Sequence, residues 1–390
     1  MKNTWQTLEL RDVVSIQRGY DLPETRRNPG NVPVIGSSGL TGYHDVFRAK
    51  GPGVTIGRSG SSIGEVTYSP VDYWPHNAVL FVTDFHGNDE RFIYYFLKNI
   101  DFSRFNSGSA QPSLNRNHIY SLQVSVPPLN IQRRIVDIVG TFDDKIELND
   151  RMNETLEQMA MELYRHWFVD FGPFQDEEFV ESELGAIPKG WKVCSLGDVV
   201  DINERSVSVS YEHSLIEYVD ISSVEVGRLQ KTTTVAIEDA PSRAKRLVMD
   251  GDVIWSMVRP NRKSYLLVYQ PPENMVVSTG FAVLSPRSIP SSYLFAHTTT
   301  EQFVDYLASN ADGSAYPAVR AEHFSKAKVL VPPEDVLKEF DDKVAPMYRM
   351  VAMNESEKRV LTATRDHLLP GLLSGEIELS EEEERVEEVV

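Results

Sequence analysis

The feature that most constrains this chain is an internal repeat. Residues near the start recur 186 positions later, and a second block recurs at an offset of 205 that holds across some 60 residues. Matching positions are Trp5 and Trp191, Leu10 and Leu196, Asp12 and Asp198, His118 and His323, 108–112 and 313–317, 126–128 and 331–333, and Leu156 and Leu361. A period of this length predicts two copies of one structural plan rather than one large domain.

Each copy begins with a region in which short β-like runs alternate with turn residues. Strands are predicted at 53–56, 78–82, 252–255 and 281–284, with one helical stretch per copy at 90–99 and 292–309. Clusters of Gly, Ser, Asn and Pro separate these runs. We therefore expect two α+β domains.

A long helix follows the paired prolines of each copy. Pro-Pro favours an extended entry and cannot lie inside a helix, so it places the helix start. Apolar residues then recur every three or four positions, including Met152 and Met159 in the first helix, which predicts a narrow seam against a partner helix. Asn149 and Asn354 fall on this seam, where a polar side chain fixes register and partner choice. The alternative is two amphipathic helices that lie on their own domains. Leu369-Pro370-Gly371, with Gly375 soon after, predicts the end of the second helix.

Charge is distributed unevenly along the chain. The total of −18 divides into +1 for residues 1–125, −9 for 126–185, −1 for 186–330 and −9 for 331–390. The two α+β regions are thus nearly neutral and can gather arginines on one face, which matters more for nucleic-acid binding than the total. A single cysteine, Cys194, excludes an internal disulfide. Without a signal peptide or a membrane-spanning run, we expect a cytoplasmic protein.

Several phrases, taken in order, resemble the DNA specificity subunits of type I restriction-modification systems. They are Leu-Arg-Asp-Val at 10–13, Pro-Pro-Leu at 127–129, Gln-Arg-Arg-Ile at 132–135, Leu-Tyr-Arg-His-Trp-Phe at 163–168, Ile-Pro-Lys-Gly-Trp at 187–191, Leu-Gly-Asp-Val at 196–199 and Leu-Leu-Pro-Gly-Leu-Leu-Ser-Gly at 368–375. Together they span nearly the whole chain. The second copy departs from this pattern because it has no glutamine that matches Gln132.

The resemblance implies an α+β protein in which a pair of long antiparallel coiled-coil helices separates two similar target-recognition domains. Each domain would recognise one half of a bipartite double-stranded DNA target. The expected partners are adenine-N6 methyltransferase subunits, two in number, and an ATP-dependent restriction subunit is a further candidate. S-adenosylmethionine, ATP and Mg are expected on those partners and no cofactor on this chain.

The sequence lacks the motifs that catalysis by this chain would need. Neither Pro-Pro pair has the polar and aromatic flanks of an adenine methylase, since the sequences are Val126-Pro127-Pro128-Leu129 and Val-Pro-Pro-Glu at 331–334. No Walker-type phosphate loop is present, and the nine histidines show no metal-binding spacing. We therefore expect no catalytic residue, no metal site and no enzymatic activity in this chain alone.

Candidate DNA contacts are basic and polar side chains in loops, the types that bind phosphates and base edges. They are Arg26, Arg27, Arg58, Ser59, Ser61, Gln111 and Arg116 in the first copy, and Arg243, Lys245, Arg246, Arg259, Asn261, Arg262, Lys263 and Tyr316 in the second. The segments around Arg58 and Arg259 follow equivalent predicted strands. Gln111 and Tyr316 occupy the same place in a repeated Gly-Ser-Ala-x-Pro turn.

The expected domain boundaries follow from these patterns. They are a first target-recognition domain at 1–126, a first spacer helix at 127–170, a linker at 171–188, a second target-recognition domain at 189–331, a second spacer helix at 332–375 and an acidic disordered tail at 376–390. Two alternatives stay open. One is a coiled-coil interaction scaffold that binds protein or glycan, and the other is a type IIB specificity subunit.

Overall fold

The computed structural model describes residues 5–105, 113–208, 211–313 and 316–379, and every element named below lies in these ranges. The chain divides into two compact units. Unit 1 comprises Met1–Glu147 and Arg359–Val390, and unit 2 comprises Leu148–Lys358. Unit 2 is therefore continuous in sequence, whereas unit 1 is assembled from two segments that flank it. Most of the predicted acidic tail, from residue 380 onward, lies outside the described residues.

Unit 1 combines short strands with short helices and part of one long helix. The strands are β1 (Gln6–Glu9), β2 (Ser15–Arg18), β3 (Val32–Gly36), β4 (Gly39–His44), β5 (Gly53–Gly57), β6 (Val66–Ser69), β7 (Trp74–Pro75), β8 (Val79–Asp84) and β9 (Gln123–Val126). The helices are α1 (Leu10–Val13), α2 (Glu90–Lys98), α3 (Arg116–Ile119) and the first half of α4 (Leu129–Phe168). Single turns of 3-10 helix lie at Glu24–Arg26, Gly60–Ser62 and Ser103–Phe105.

Unit 2 has the same kinds of element in a similar order. The strands are β10 (Phe179–Ser182), β11 (Gly185–Pro188), β12 (Lys192–Ser195), β13 (Val200–Ile202), β14 (Leu215–Val219), β15 (Val224–Glu225), β16 (Arg228–Leu229), β17 (Thr233–Ala236), β18 (Ala244–Leu247), β19 (Val253–Ser256), β20 (Tyr265–Leu267), β21 (Met275–Ser278), β22 (Phe281–Pro286) and β23 (Lys328–Val331). The helices are the second half of α4, then α5 (Ser291–Thr298), α6 (Glu301–Ser309), α7 (Ala321–Lys326) and α8 (Glu334–Ser374), whose last turns belong to unit 1. Turns of 3-10 helix lie at Gly172–Phe174, Leu196–Asp198, Ile221–Ser223 and Pro260–Arg262.

The sheets repeat from one unit to the other. An antiparallel four-stranded sheet has the order β2-β8-β5-β6 in unit 1 and β13-β22-β19-β20 in unit 2. A second sheet contains one parallel pair in each unit, β3 with β7 and β14 with β21. The first and last strands of each α+β region also pair, β1 with β9 and β12 with β23. The duplication seen in the sequence is thus a duplication of topology.

Each long helix contributes to the core of both units. In unit 1, Ile131, Ile135 and Val139 of α4 are buried together with Leu369 and Leu372 near the end of α8. In unit 2, an aromatic cluster joins the two helices to the domain, and its members are Tyr164, Trp167, Phe168, Tyr293 and Phe340. Because apolar burial is the main stabilising term, these contacts attach the helices firmly to the α+β regions.

Two details of the helices differ from the sequence predictions. Met152 and Met159 are exposed, so they do not lie on the seam; Asn149, Asn153 and Ala160 occupy the buried face there instead. The stretch predicted as one helix at 292–309 is two helices, because the Thr300 side chain accepts a hydrogen bond from the Phe303 amide and caps the second one.

The end of α8 also differs from its prediction. The helix continues through Pro370 to Ser374 rather than ending at Leu369-Pro370-Gly371. The missing amide of Pro370 removes one hydrogen bond, but Leu372 and Leu373 are buried in the core of unit 1 and hold the last turn in place. Gly375, with a φ of 77°, ends the helix in the left-handed conformation.

Candidate nucleic-acid interface

The same loop follows the same strand in both units. Arg58 comes directly after β5, and Arg259 comes three residues after β19, and these strands hold the same place in their sheets. One backbone hydrogen bond joins each arginine to a more distant segment. The Leu114 amide donates to the Arg58 carbonyl at 2.8 Å, and the Arg259 amide donates to the Pro317 carbonyl at 2.7 Å. The two loops therefore hold equivalent places in their units, although their hydrogen bonds and their residues differ.

The loop of unit 1 turns back sharply on itself. A Cβ atom at Gly57 would lie 2.1 Å from the Ser62 carbonyl oxygen, so only glycine fits immediately before Arg58. Ser59 is half-buried and forms a β-bridge with Ser113, and Ser61 is exposed in the 3-10 turn that follows. This close packing fixes the position from which the Arg58 side chain extends.

The Arg58 side chain lines a cavity of about 620 Å³, which we call the arginine cavity. Its lining residues are Gln17, Arg18, Tyr20, Arg58, Leu80, Ser113, Leu114, Asn115 and Arg116. Arg58 donates from Nη1 to the Asn77 carbonyl at 3.4 Å and from Nη2 to the Ser113 hydroxyl at 3.3 Å. Arg18 donates from Nε to the same Asn77 carbonyl at 3.3 Å, and Arg116 donates to the Ile16 carbonyl at 3.1 Å.

The arginine cavity is strongly electropositive. Three guanidinium groups line it, and none of the described lining residues is an aspartate or a glutamate. Burial lowers the pKa of Arg58 below its usual value, and the charge of Arg18 lowers it further. Arginine still stays protonated at neutral pH, so the cavity concentrates positive charge. Such a site attracts anions and hydrogen-bond acceptors.

The other predicted contacts of unit 1 lie outside this cavity. Arg26 is exposed in the 3-10 turn Glu24–Arg26, and Arg27 donates to the Thr41 carbonyl at 2.6 Å on the three-stranded sheet. Burial lowers the pKa of His76, and the charge of nearby Arg27 contributes to that shift. Gln111 lies outside the described residues. The structure thus brings Arg58 and Arg116 together, whereas Arg26 and Arg27 lie at a 3-10 turn outside the arginine cavity.

The equivalent loop of unit 2 lines a cavity of about 770 Å³, which we call the mixed cavity because it holds both charges. Its lining residues are Asp220, Ile221, Ser222, Val224, Glu225, Val226, Val258, Arg259, Arg262, Ser264 and Tyr316. The Arg259 guanidinium lies 4.5 Å from the ring centroid of Tyr316, a cation–π contact on a side chain that is 70% exposed. An exposed aromatic ring beside a guanidinium is the combination on which nucleic-acid bases stack.

The backbone of this loop is unusual. Arg259 and Lys263 both have positive φ, 52° and 56°, and they enclose the 3-10 turn Pro260–Arg262. Non-glycine residues in the left-handed region are strained, and such strain is concentrated at functional sites. Asn261 and Arg262 are exposed at the tip of the turn. No side-chain hydrogen bond or ion pair of Arg262 is present among the described residues.

Most of the other basic residues predicted in unit 2 bind protein groups. Arg243 pairs with Asp220 at 3.0 Å, which places it at the edge of the mixed cavity, and Lys263 pairs with Glu301 at 2.6 Å. Arg246 donates to the Asn203 carbonyl at 3.3 Å, and Lys245 is exposed on β18. The structure therefore gathers Arg243, Arg259, Arg262 and Tyr316 in one place and not Lys245 or Arg246.

Sequence reasoning missed several lining residues. Arg18 and Asn115 in unit 1, and Asp220 and Glu225 in unit 2, lie far in sequence from the loops that they join. Arg18 ends the strand that pairs with β8, and β8 also pairs with β5, but these pairings cannot be read from the sequence. Only the order of strands in the sheet reveals that Arg18 and Arg58 face one space.

A buried polar network joins the two long helices within unit 2. Asn149 and Asn354 are both buried, and each donates a hydrogen bond to a different partner. The side-chain Nδ2 of Asn149 donates to the Glu357 carboxylate at 2.7 Å, and the side-chain Nδ2 of Asn354 donates to Asn153 Oδ1 at 2.8 Å. Residue numbers increase along α4 while those of the facing residues on α8 decrease, so the two helices run antiparallel here. Asn153 is a partner that the sequence pattern did not identify.

The described residues contain neither a candidate metal site nor a candidate membrane span. No group of three or more His, Cys, Asp or Glu side chains within the described ranges could hold a metal ion. Among the helices of the same ranges, none combines the length and apolar character that crossing a bilayer requires.

Comparisons with known proteins agree with this architecture. Residues 2–158 match the family model described as the type I restriction modification DNA specificity domain. The type I restriction enzyme MjaIX specificity subunit of Methanocaldococcus jannaschii is 24% identical over 409 residues, which cover 97% of this chain and 94% of that protein. The type I restriction enzyme HindI specificity subunit of Haemophilus influenzae is 25% identical over 330 residues, covering 68% of this chain and 71% of the relative.

A solved structure shows the same fold. The S subunit of a type I restriction-modification system from M. genitalium superposes with a TM-score of 0.65 at 16% identity, covering 95% of this chain and 96% of that one. This likeness confirms the predicted fold class, an α+β protein with two long helices and an internal duplication.

Proposed function

We propose that the chain is a member of the type I restriction-modification DNA specificity family and that each of its two units recognises one half of a bipartite double-stranded DNA target. The target-recognition domains in this proposal are residues 1–126 and 189–331. Specificity subunits are the non-catalytic members of their complexes. Their contribution is to select the sequence on which partner subunits act.

One observation carries the proposal: the same basic loop occurs on the same strand of the same sheet in both units, with different residues around it. Arg58 stands among arginines and amides in unit 1, whereas Arg259 stands beside Tyr316, Asp220 and Glu225 in unit 2. One shared architecture with two different chemical linings is what two different half-sequences require. A scaffold that bound a single protein or glycan would not need this difference.

The side chains of both cavities suit DNA. Arginine binds guanine O6 and N7 or a phosphate, asparagine and glutamine bind adenine, and carboxylates accept from the cytosine amino group. In the arginine cavity these roles are open to Arg58, Arg116 and Asn115. In the mixed cavity they are open to Arg262 and Glu225. We infer that contacts of this kind, rather than net charge, select the target.

The partners in this proposal are adenine-N6 methyltransferase subunits, two in number, together with an ATP-dependent restriction subunit where the system includes one. S-adenosylmethionine would bind to the methyltransferase subunits, and ATP and Mg to the restriction subunit. The two long helices offer these partners an extended surface beside the target-recognition domains. We further infer that the assembled complex works in the cytoplasm, where the host DNA lies.

Selection from random duplexes tests the proposal. The full chain, assembled with its methyltransferase partners, is incubated with a library of random double-stranded DNA, and the partners alone serve as the control. We expect the complete complex to enrich two short half-sequences separated by a fixed number of unspecified bases. Adenine methylation mapped in the host genome should show the same motif. No enriched motif would refute the proposal in favour of a protein or glycan scaffold, and one uninterrupted motif would refute the assignment of two halves.

A further inference from the structure

Two arginines of unit 1 share a single hydrogen-bond acceptor. Arg18 ends β2 and Arg58 follows β5, and both strands pair with β8. Asn77 lies just before β8, and its carbonyl oxygen accepts from Arg18 Nε at 3.3 Å and from Arg58 Nη1 at 3.4 Å. The sheet therefore holds two guanidinium groups side by side at one end of one strand.

No aspartate or glutamate is among the described residues that line the arginine cavity, and the nearby Asp21 accepts a hydrogen bond from the Asn77 side chain at 2.7 Å. The hydrogen bonds of Arg18, Arg58 and Arg116 go to backbone carbonyls and to the Ser113 hydroxyl, and no ion pair involves any of them within the described residues. The mixed cavity is different, because Asp220 pairs with Arg243 and Glu225 also lines it. Like charges at this separation repel each other unless an anion lies between them.

We propose that Arg18 and Arg58 together bind one phosphate of the DNA backbone. This inference rests on the proposed function and assigns to Arg18 a role that the sequence did not indicate. A guanine edge is neutral, whereas a phosphate carries a formal negative charge that offsets the repulsion between the two guanidinium groups. Arginine binds phosphate through paired N–H donors, and each of these side chains has N–H groups beyond those that already donate.

It follows that different residues of unit 1 would contact the phosphate backbone and the bases. A phosphate contact fixes the position of the protein on the duplex but carries no sequence information. Arg18 and Arg58 would supply affinity, and the other polar residues of the arginine cavity, Gln17 and Asn115, would be left to contact base edges. Binding at this site should therefore weaken with salt in the manner of counterion release.

The test measures how DNA binding depends on salt for matched variants of the full chain in its complex. Binding is measured across a salt series on a duplex with the selected motif and on a duplex without it. The variants are Arg18→Gln, Arg58→Gln and the double substitution. Arg11→Gln is the control, because Arg11 is an exposed arginine of the same unit that pairs with Glu9 outside the cavity. Arg18→Lys keeps the charge and guards against a folding defect.

We expect the double Gln variant to reduce the slope of log K against log salt by about 0.9, the value for one phosphate. Each single variant should reduce the slope by no more than this, because the other arginine still binds the same phosphate. The ratio of specific to non-specific binding should stay the same. Arg11→Gln and Arg18→Lys should keep the slope of the unmodified chain.

Several results would overturn the inference. A lower ratio of specific to non-specific binding in Arg18→Lys or Arg58→Gln would make that arginine a base contact. A loss of about 1.8 in the slope of the double variant would mean two separate phosphates, and an unchanged slope in the double variant would mean none. If the unmodified complex enriches a motif and these variants leave its slope unchanged, only this inference fails. If the unmodified complex binds no DNA, the proposed function fails as well.

Discussion

His297 lies in the aromatic core of unit 2, where a positive charge would be without solvent. Its ring is stacked with Tyr293 and lies edge-on to Phe303, and the Tyr164 hydroxyl lies 3.0 Å from Nδ1. Burial lowers the pKa of His297 to about 4, well below the ordinary value of 6.5. The folded protein therefore keeps this histidine neutral in a pH range where the unfolded chain protonates it.

Unit 2 should lose stability as the pH falls. Since the folded-state pKa of His297 is below the unfolded one, its contribution is complete above about pH 6.5 and decreases towards about pH 4. At about pH 5 the expected decrease in the free energy of unfolding is about 2 kcal/mol, measured by urea denaturation. His297→Phe should flatten this part of the profile, and His118→Gln, at an exposed histidine, should not. An equally steep profile in His297→Phe would assign the pH dependence to other groups.

Arg262 should contribute to recognition of the half-sequence bound by unit 2. It stands exposed on the strained turn of the mixed cavity. If it contacts a base edge, Arg262→Ala should weaken binding by about 1–3 kcal/mol and relax the motif at one position in that half. Lys326→Ala is the control, because Lys326 is an exposed lysine of the same unit that pairs with Glu322. Relaxation in the other half-sequence would contradict the assignment of one half to each unit.

The sequence allowed the basic loops to be predicted but not the cavities around them. Arg58 and Arg259 follow strands that a short apolar run reveals, so their place on the sheet could be inferred. Arg18 and Asp220 come from other strands and turns, and their proximity depends on strand order, which one sequence does not specify. Ion pairs are equally hard to predict from one sequence, and an example is the pair of Lys263 with Glu301.

One hairpin of unit 2 joins the mixed cavity to the long helices. Glu225 and Val226 of this hairpin line the cavity, and Arg228 on its second strand points to the helices. Arg228 donates to both carboxylate oxygens of Glu157 at 2.6 and 2.8 Å, and its Nε lies 2.9 Å from Glu355. Carboxylates of α4 and α8 thus share one guanidinium, which fixes the hairpin against both helices.

Removal of Arg228 should destabilise unit 2 more than removal of a surface charge. Arg228→Ala leaves Glu157 without its cation and Glu355 with Lys358 alone, and the expected loss is about 3 kcal/mol in the free energy of unfolding, measured in urea. Lys189→Ala, in an exposed pair with Glu178, should cost less than about 1 kcal/mol. Combining Arg228→Met with Glu157→Gln and Glu355→Gln should restore part of the loss, because no unpaired charge then stays buried. A triple variant less stable than Arg228→Ala would contradict this account.

The helices show which of their boundaries and buried residues the sequence pattern predicts correctly. The paired prolines placed the starts of α4 and α8 within a few residues, because proline has a local effect that does not depend on the rest of the chain. Helix α8 continues past Pro370 because the burial of Leu372 and Leu373 outweighs this local stop signal, and it ends before Gly375, the second predicted stop. Met152 and Met159 were wrongly placed on the seam because the buried face there follows asparagine and alanine.

At the scale of the whole molecule, helix length should set the spacing of the DNA target. The 40 residues of α4 make a helix of roughly 60 Å at about 1.5 Å per residue. One heptad adds about 10 Å, or close to three base pairs. We propose inserting a heptad between Glu147 and Leu148 and another between Lys358 and Arg359, where unit 1 meets unit 2 in the sequence. The pairs formed by Asn149 and by Asn354 then stay intact.

The methylated motif of this variant should keep both half-sequences and gain about three unspecified bases between them, as read by mapping adenine methylation. A heptad in α4 alone is the control, since it leaves the two helices unequal and should abolish methylation. Methylation at the original spacing by the double insertion would show that the helices do not set the distance. Altered half-sequences would show that the helices take part in base recognition.

The division of the chain into a continuous unit and an interrupted one has a consequence for its synthesis. The core of unit 1 includes Ile131 and Ile135, made early, and Leu369, Leu372 and Leu373, made near the end. All of unit 2 leaves the ribosome between them, so it can fold while translation continues. The unit that is translated first must therefore wait for the last turns of α8 before its core can close. A nascent chain that lacks those turns would have a folded unit 2 and an incompletely folded unit 1. Until it leaves the ribosome with α8 complete, it would be a substrate for chaperones and proteases.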